Sequence, residues 1–168
     1  MMKNQAKTWG KFVEQKVFDS KLLVQKLQPL RSHQTIATIN GSFDLLHAGH
    51  MYILYEASKQ ADILVVALNS DRSVQEYKGK TRPIIPLAER MQMVAALGFV
   101  DFVTWFNELT PCQLLEQIQP HVHVNGAEYG EDCVEAQTVK KYGGTLFLVP
   151  RIPALSTSQL ISRIQTCE

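Results

Sequence analysis

The chain has 168 residues, of which 45% are hydrophobic and 20% are charged, and its formal net charge is +1. Such a composition is typical of one folded domain and excludes extensive disorder. A near-neutral charge also argues against binding to nucleic acid, which usually requires a strongly basic face. The N-terminus has no signal-peptide core, and no apolar run is long enough to span a bilayer. We therefore expect a cytoplasmic protein without a nucleic-acid or membrane partner.

The predicted elements begin with a short helix in an N-terminal extension, residues 1–34. Its leucines recur at helical spacing, at Leu22, Leu23, Leu27 and Leu30, and Pro29 with the stretch Arg31-Ser32-His33 is expected to end the helix. The main domain is predicted to follow over residues 35–168.

Strands and helices then alternate along the main domain. Strands are predicted over residues 35–39, 62–68, 102–106, 121–125 and 145–149. Helices are predicted over 49–60, 71–76, 87–97 and 133–142. A further helix is predicted to start at Pro111 with Thr110 as its cap, and a last helix to follow a cap at Ser156 or Thr157. Strands joined by helices pair in parallel, so the predicted fold class is α/β. We expect a Rossmann-like, doubly wound parallel sheet of about five strands with helices on both faces.

One strand-to-helix turn concentrates residues suited to binding an anion. Residues 40–50, Asn-Gly-Ser-Phe-Asp-Leu-Leu-His-Ala-Gly-His, follow the first strand, where ligands of parallel sheets bind. They lead into a helix, whose N-terminus favours negative charge. Gly41 and Gly49 allow a ligand to approach the backbone closely. His47 and His50 are three residues apart, which puts both imidazoles on one side of the helix start, where they can donate hydrogen bonds to phosphate.

Other interpretations of the two histidines are weaker. A zinc site lacks further ligands at a familiar spacing, and no cluster of carboxylates is present, so no metal site built from protein side chains is expected. The surrounding turn argues against ordinary surface histidines. The phosphate loop G-x-x-x-x-G-K-[ST] and the dinucleotide motif G-x-G-x-x-G are both absent.

The turn belongs to a pattern seen in a known group of enzymes. Gly41-x-Phe43-Asp44 followed by His47-x-Gly49-His50 resembles the nucleotidyltransferase superfamily with an H-x-G-H element, in its cytidylyltransferase-like branch. Residues 155–161, Leu-Ser-Thr-Ser-Gln-Leu-Ile, resemble that superfamily's second motif, at the start of the last helix. Within the branch, the chain is similar to bacterial adenylyltransferase domains for D-glycero-β-D-manno-heptose 1-phosphate. This resemblance implies transfer of AMP from ATP to that sugar phosphate, giving ADP-heptose and pyrophosphate.

The resemblance also implies a role for each candidate residue. His47 and His50 would hold the α- and β-phosphates, with Lys78 and Arg90 as further catalytic cations. The nucleotide would be bound by Gly41, Ser42, Phe43, Gly49, Asn125, Gly126, Glu128, Ser156, Thr157 and Ser158. Asp44, Lys80 and Arg82 would bind the phosphorylated acceptor. Mg²⁺ would arrive with ATP, held mainly by phosphates and water.

Some of these residues have structural alternatives. The hydroxyl residues 156–158 could serve only as a helix cap, and Asp44 could serve only as a turn residue. Lys78, Lys80 and Arg82 could be a solvated run of charges. His121 and His123 alternate on a predicted strand and are interpreted as structural.

The chain departs from the family pattern after the fourth strand. The family usually has lysine and then Gly-Gly-Asp-Tyr, whereas this chain has Asn-Gly-Ala-Glu-Tyr at 125–129. Three alternatives therefore stay open: a cytidylyltransferase for glycerol 3-phosphate or an aminoalcohol phosphate, an FMN adenylyltransferase, and a nucleotide-binding module without turnover. Family members are usually fused to a sugar kinase, so we expect a separate kinase or a different pathway here. A homodimer is a further possibility.

Overall fold

Five parallel strands form the centre of the computed structural model, which describes residues 8–150 and 157–166. The strands are β1 (Ile36–Gly41), β2 (Ile63–Asn69), β3 (Phe102–Phe106), β4 (Val122–Gly126) and β5 (Thr145–Val149). Their order in the sheet is β3-β2-β1-β4-β5. The predicted α/β fold is thereby confirmed. The winding direction reverses between β1 and β4, and a ligand crevice is expected at this switch point.

Eight helices within the described residues connect and cover the strands. They are α1 (Trp9–Glu14), α2 (Ser20–Leu30), α3 (Ala48–Ser58), α4 (Asp71–Lys78), α5 (Leu87–Ala95), α6 (Cys112–Ile118), α7 (Val134–Lys141) and α8 (Thr157–Thr166), and a 3₁₀ turn spans Ala127–Tyr129. None of these helices combines the length and the apolar character needed to cross a membrane.

Two apolar clusters hold the helices to the two faces of the sheet. Alternate residues of each strand point to opposite faces, so neighbours such as Ile36 and Ala37 belong to different clusters. The α3-face cluster contains Ala37, Ile39, Phe43, Leu54, Ala57, Leu64, Val66 and Leu68 among its buried residues. The α2-face cluster contains Leu23, Leu27, Ile36, Ile63, Val65, Ala67, Phe106, Leu114 and Ile118. Burial on both faces explains why β2 is a nearly continuous apolar run.

Two local predictions were wrong. Asn40 and Gly41 were expected to form a turn, but they pair with Ala67 and Leu68 and extend β1. Pro111 stands at the cap position of α6, one residue before the helix begins, so Thr110 is not its cap. The end of α2 was predicted in part: the helix includes Pro29 but ends at Leu30, immediately before the stretch 31–33. The predicted cap at Ser156 lies outside the described residues.

The N-terminal segment is tied to the sheet by buried leucines and by hydrogen bonds. Leu23 and Leu27 of α2 are 0% and 1% exposed. The Lys16 Nζ donates to the carbonyls of Leu97 and Val100, at 3.1 and 2.6 Å, beyond the end of α5. We propose that residues 8–34 and the sheet form one folding unit.

Replacing Leu27 with alanine is expected to lower the free energy of unfolding by about 2–5 kcal/mol, because it leaves a cavity in the α2-face cluster. Urea unfolding followed by circular dichroism measures this change. Leu22→Ala is the matched control, since Leu22 lies on the same helix but is 49% exposed. Equal effects of the two substitutions would contradict the packing of α2 on the sheet.

Candidate active site

The turn from β1 to α3 is shaped by the contact between Gly41 and Phe43. Phe43 is 4% exposed and adopts a positive φ of 45°, which costs energy for a residue with a side chain. Its ring lies over Gly41, where an added Cβ would be 3.1 Å from two ring carbons. A side chain at position 41 would therefore have to displace the ring by a few tenths of an ångström. This packing fixes the path of the backbone between the strand and the helix.

His47 and His50 stand together at the N-terminus of α3. The Nδ1 of His47 accepts hydrogen bonds from the amides of Gly49, at 3.1 Å, and His50, at 3.4 Å, so His47 caps the helix. A neutral imidazole that accepts at Nδ1 carries its proton on Nε2. The two imidazole rings stack with centroids 3.8 Å apart, and Phe43 contacts His50 edge-on at 5.5 Å. The predicted juxtaposition of the two histidines is thus present.

The environment of His50 favours its neutral form. Burial has the largest effect, and His47 and Lys78 add to it, so the pKa of His50 falls from 6.5 to about 4. A hydrogen bond with the backbone of Leu45 offsets part of the decrease. At neutral pH His50 therefore presents an imidazole that can donate a hydrogen bond without a fixed charge.

A second buried histidine shares this low pKa. His123 is 0% exposed, its Nδ1 lies 2.8 Å from the Thr38 hydroxyl, and burial lowers its pKa to about 4. Between pH 6.5 and 4 the unfolded chain binds protons at His50 and His123 that the folded chain does not. The free energy of unfolding therefore falls as the pH is lowered through this window.

We expect a slope of up to ~1.4 kcal/mol per pH unit for each of these two histidines, measured by urea unfolding at a series of pH values. His123→Gln should reduce the slope. The control His33→Gln alters an exposed ring and should leave it unchanged. A stability that is flat from pH 6.5 to 4 would contradict the burial of both rings.

Lys78 faces the turn from the end of α4. Its Nζ donates to the Ser42 hydroxyl at 3.0 Å and lies 5.4 Å from the centroid of the Tyr77 ring. Partial burial lowers the pKa of Lys78, and the nearby Arg82 lowers it further. An anion placed between Lys78 and the two histidines would relieve this repulsion among basic groups.

Asp44 and Arg82 are engaged with each other rather than with the pocket. Asp44 is 1% exposed and accepts hydrogen bonds from the amides of Ile84 and Ile85, at 2.8 and 2.9 Å. The Arg82 Nε donates to Asp44 at 2.7 Å. Burial would raise the pKa of Asp44, but these amides and Arg82 outweigh it and lower the pKa. This geometry indicates that Asp44 and Arg82 hold the loop of residues 79–86 against the turn. It does not favour the predicted contact of these two residues with an acceptor.

Arg90 holds three segments of backbone together. Its side chain is fully buried, and its guanidinium donates to the carbonyls of Ile85 at 2.9 Å, Ser42 at 2.5 Å and Asn69 at 3.0 Å. It also donates to the Asp71 carboxylate at 2.6 Å. Protein oxygens thus surround the cation that was predicted to contact phosphate. The anionic partner of Arg90 in the structure is the Asp71 carboxylate.

The opposite wall is formed by the ends of β4 and β5 and the start of α8. Gly126 lies against the Glu128 carboxylate so closely that a side chain at 126 would overlap it. Asn125 is 8% exposed, and its Oδ1 accepts from the Gly126 amide at 3.0 Å. Thr157 and Ser158 begin α8, whose N-terminus opens toward the pocket. This wall combines polar side chains with a helix N-terminus, which favours bound anions.

These elements enclose one pocket of about 790 Å³, a volume usual for small-molecule sites. The candidate residues that line it are Gly41, Ser42, Phe43, His47, Gly49, His50, Lys78, Asn125, Gly126, Glu128, Thr157 and Ser158. Asp44, Lys80, Arg82 and Arg90 are not on its walls, and Ser156 lies outside the described residues. The pocket also includes residues that the sequence did not single out, namely Asn40, Tyr52, Asn69, Tyr77, Leu109, Thr110, Tyr129 and Glu135. Among residues 8–150 and 157–166, no three histidine, cysteine or acidic side chains are grouped to hold a metal ion.

A doubly wound parallel sheet with stacked histidines and a lysine at its switch point defines the class of Rossmann-like nucleotidyltransferases. The profile of the Cytidylyltransferase-like family matches residues 38–163, and the chain belongs to this family. It is therefore a nucleotidyltransferase.

Two curated bacterial relatives carry the name Bifunctional protein HldE. The chain is 43% identical to the HldE protein of Geotalea uraniireducens over 152 residues, which cover 90% of this chain and 31% of the relative. It is 44% identical to the HldE protein of Streptomyces coelicolor over 132 residues, which cover 78% of this chain and 28% of that relative. The chain thus spans about a third of the length of these relatives.

Solved structures share the fold. A lipopolysaccharide core biosynthesis protein from Thermoplasma volcanium matches with a TM-score of 0.57 and 28% identity, over 71% of this chain and 97% of that protein. The pantoate-β-alanine ligase of Francisella tularensis, solved with a form of ATP and β-alanine, matches with a TM-score of 0.59 and 15% identity. The match covers 89% of this chain and 77% of the ligase. The second similarity shows the fold alone.

Proposed function

We propose that the protein transfers AMP from ATP to D-glycero-β-D-manno-heptose 1-phosphate, releasing pyrophosphate and giving ADP-heptose. The stacked His47 and His50 at the N-terminus of α3, opposite Lys78, are the observation that carries the nucleotidyl transfer. The similarity to the HldE proteins and to a lipopolysaccharide core biosynthesis protein supports the acceptor.

In this proposal the pocket positions the phosphates for in-line attack. An acceptor phosphate oxygen attacks the α-phosphorus of ATP, and the bond to the β-phosphate oxygen breaks as pyrophosphate leaves. His47, through Nε2–H, and His50 donate hydrogen bonds to phosphate oxygens whose charge grows in the transition state. Lys78 supplies a cation on the other side of the turn. The amides of Ser42 and Phe43 and the start of α8 bind the remaining phosphate oxygens.

Arg90 and the Asp44–Arg82 pair are assigned positioning roles. Arg90 binds the Ser42 carbonyl, and Asp44 fixes the loop that follows Lys78. Both lie beneath the residues that face the phosphates, so they set where those residues stand. We further propose that Mg²⁺ reaches the site with ATP and neutralises phosphate charge. Such an ion would be held mainly by phosphates and water.

One assay tests the proposal and its alternatives. Purified protein is incubated with Mg²⁺, with ATP or CTP, and with heptose 1-phosphate, glycerol 3-phosphate, an aminoalcohol phosphate or FMN, while pyrophosphate release is followed. Release that requires ATP and heptose 1-phosphate is expected. Release only with CTP, or only with FMN, would replace the proposed substrates, and nucleotide binding without release for any acceptor would indicate a binding module. A homodimer stays a prediction for light scattering to decide.

A further inference from the structure

The pocket continues around the carboxyl edge of the sheet, away from the histidines. Ile39 pairs with Val124 across β1 and β4, so the residues that follow, Asn40 and Asn125, are neighbours that point to one face. This face is opposite to the one on which Ile39 and Val124 pack in the α3-face cluster. Both residues line the pocket. The nucleotide-binding turn and the two asparagines therefore occupy different sides of the same cavity.

Asn40 has hydrogen-bonding capacity that the described protein does not use. Its Oδ1 is fully buried and accepts no hydrogen bond from the described part of the chain. A buried amide oxygen without a partner is costly, and native structures contain few of them. The terminal torsion of asparagine is soft, so a small rotation would turn this oxygen toward a ligand.

Glu135 is a largely buried acidic residue that lines the same pocket. It lies in the first turn of α7, is 7% exposed and lines the cavity. Within residues 8–150 and 157–166 no hydrogen bond or ion pair engages its carboxyl group. The dipole of α7 would favour an acidic residue equally well on the surface, so it does not account for the burial. The carboxyl oxygens of Glu135 are not among the fully buried side-chain atoms that lack a hydrogen-bond partner, so they reach the cavity, where a ligand can supply the partner.

We propose that Glu135, with Asn40 and Asn125, forms a subsite that binds adjacent hydroxyl groups of a sugar. A carboxylate accepts two hydrogen bonds at once, which matches two neighbouring hydroxyls, and carboxamides both donate and accept. The inference rests on the proposed function, which supplies two sources of this chemistry: the sugar of the acceptor and the ribose of the nucleotide. Both would reach the subsite while their phosphates remain at His47 and His50.

Glu135→Gln tests the subsite by separating its effects on the two substrates. The substitution preserves shape but removes one charged acceptor, so kcat/KM is expected to fall about ten-fold or more, through KM, for the substrate whose sugar binds there. A higher KM for heptose 1-phosphate with an unchanged KM for ATP identifies the acceptor sugar. A higher KM for ATP that is absent with 2′-deoxy-ATP or 3′-deoxy-ATP identifies the ribose. Glu131→Gln, an exposed change in the preceding loop, is the control.

The thermal stability of Glu135→Gln gives a second readout. A purely structural role of Glu135 would lower the Tm of this variant, whereas a role in binding would not. Because no hydrogen bond or ion pair within the described residues depends on this carboxylate, the Tm of Glu135→Gln should be at or above that of the wild type. A lower Tm with unchanged KM values would overturn the proposal. So would preferential use of an aminoalcohol phosphate that is lost in Glu135→Gln, because that result would assign the carboxylate to a cation.

Failure of the proposed function is distinguishable from failure of the subsite. If no acceptor releases pyrophosphate, calorimetric titration with ATP, the two deoxy-ATP analogues and heptose 1-phosphate still compares wild type with Glu135→Gln. Weaker binding of ATP or of the sugar phosphate by the variant supports the subsite. Equal binding by the two proteins for every one of these compounds overturns it.

Discussion

His50→Ala is expected to lower kcat for nucleotidyl transfer by about 100-fold or more. His50 is stacked on His47 at the helix N-terminus and lines the pocket, and in the proposed mechanism its ring donates to phosphate oxygens as their charge develops. Because the interaction strengthens in the transition state, the loss should appear mainly in kcat rather than in KM for ATP. Pyrophosphate release under saturating ATP and acceptor measures it.

His33→Ala is the control for this experiment, since His33 is an exposed histidine outside the pocket. Circular dichroism and thermal unfolding establish that the His50 variant folds. A folded His50→Ala protein with the kcat of the wild type would remove His50 from the mechanism. A higher KM for ATP with unchanged kcat would restrict it to ground-state binding of the nucleotide.

Arg90→Met is expected to cost the protein roughly 3–5 kcal/mol of unfolding free energy, or to prevent folding. The substitution keeps most of the side-chain volume but leaves the carbonyls of Ser42, Asn69 and Ile85 without their donor. These losses dominate, because Asp71 is partly exposed and water can solvate its carboxylate. The turn at Ser42 should also loosen, so the folded fraction should show reduced nucleotidyl transfer. Urea unfolding gives the first quantity and pyrophosphate release the second.

The matched control is Arg72→Met, which removes a cation from the neighbouring helix. Arg72 has a side chain that is 82% exposed and pairs only locally with Glu76, so its loss should change stability by less than about 0.5 kcal/mol. If Arg90→Met were as stable as Arg72→Met and equally active, Arg90 would not hold the turn.

Local patterns in the sequence were sufficient for the architecture. The strands over 102–106 and 145–149 match the structure at both ends, and β1, β2 and β4 differ by only one or two residues at an end. Errors arose where pairing overrode local preference. Asn40-Gly41 has the composition of a turn, but its partners on β2 keep it in the strand.

The contacts within the site were predictable where the residues are close in sequence. They were less predictable where segments distant in sequence meet. His47 and His50 come together because they are three positions apart at the start of one helix. Arg82 and Asp44 lie 38 residues apart, and Arg90 and Asp71 lie 19 apart, so their pairing was not visible and the cations were assigned to ligands. Glu135 gave no signal at all, because an acidic residue in a first helical turn is usually exposed.

The pairing of β1 with β4 also bears on when the pocket can exist during folding. Thr38 and His123, which are hydrogen-bonded across this pair, are separated by 85 residues. Closing so long a loop costs conformational entropy, and early local contacts do not offset this cost. The pairing of β1 with β4 therefore tends to form late in folding. The two walls of the pocket stand on either side of this junction. A nucleotide would then stabilise the finished fold by mass action without guiding its early assembly.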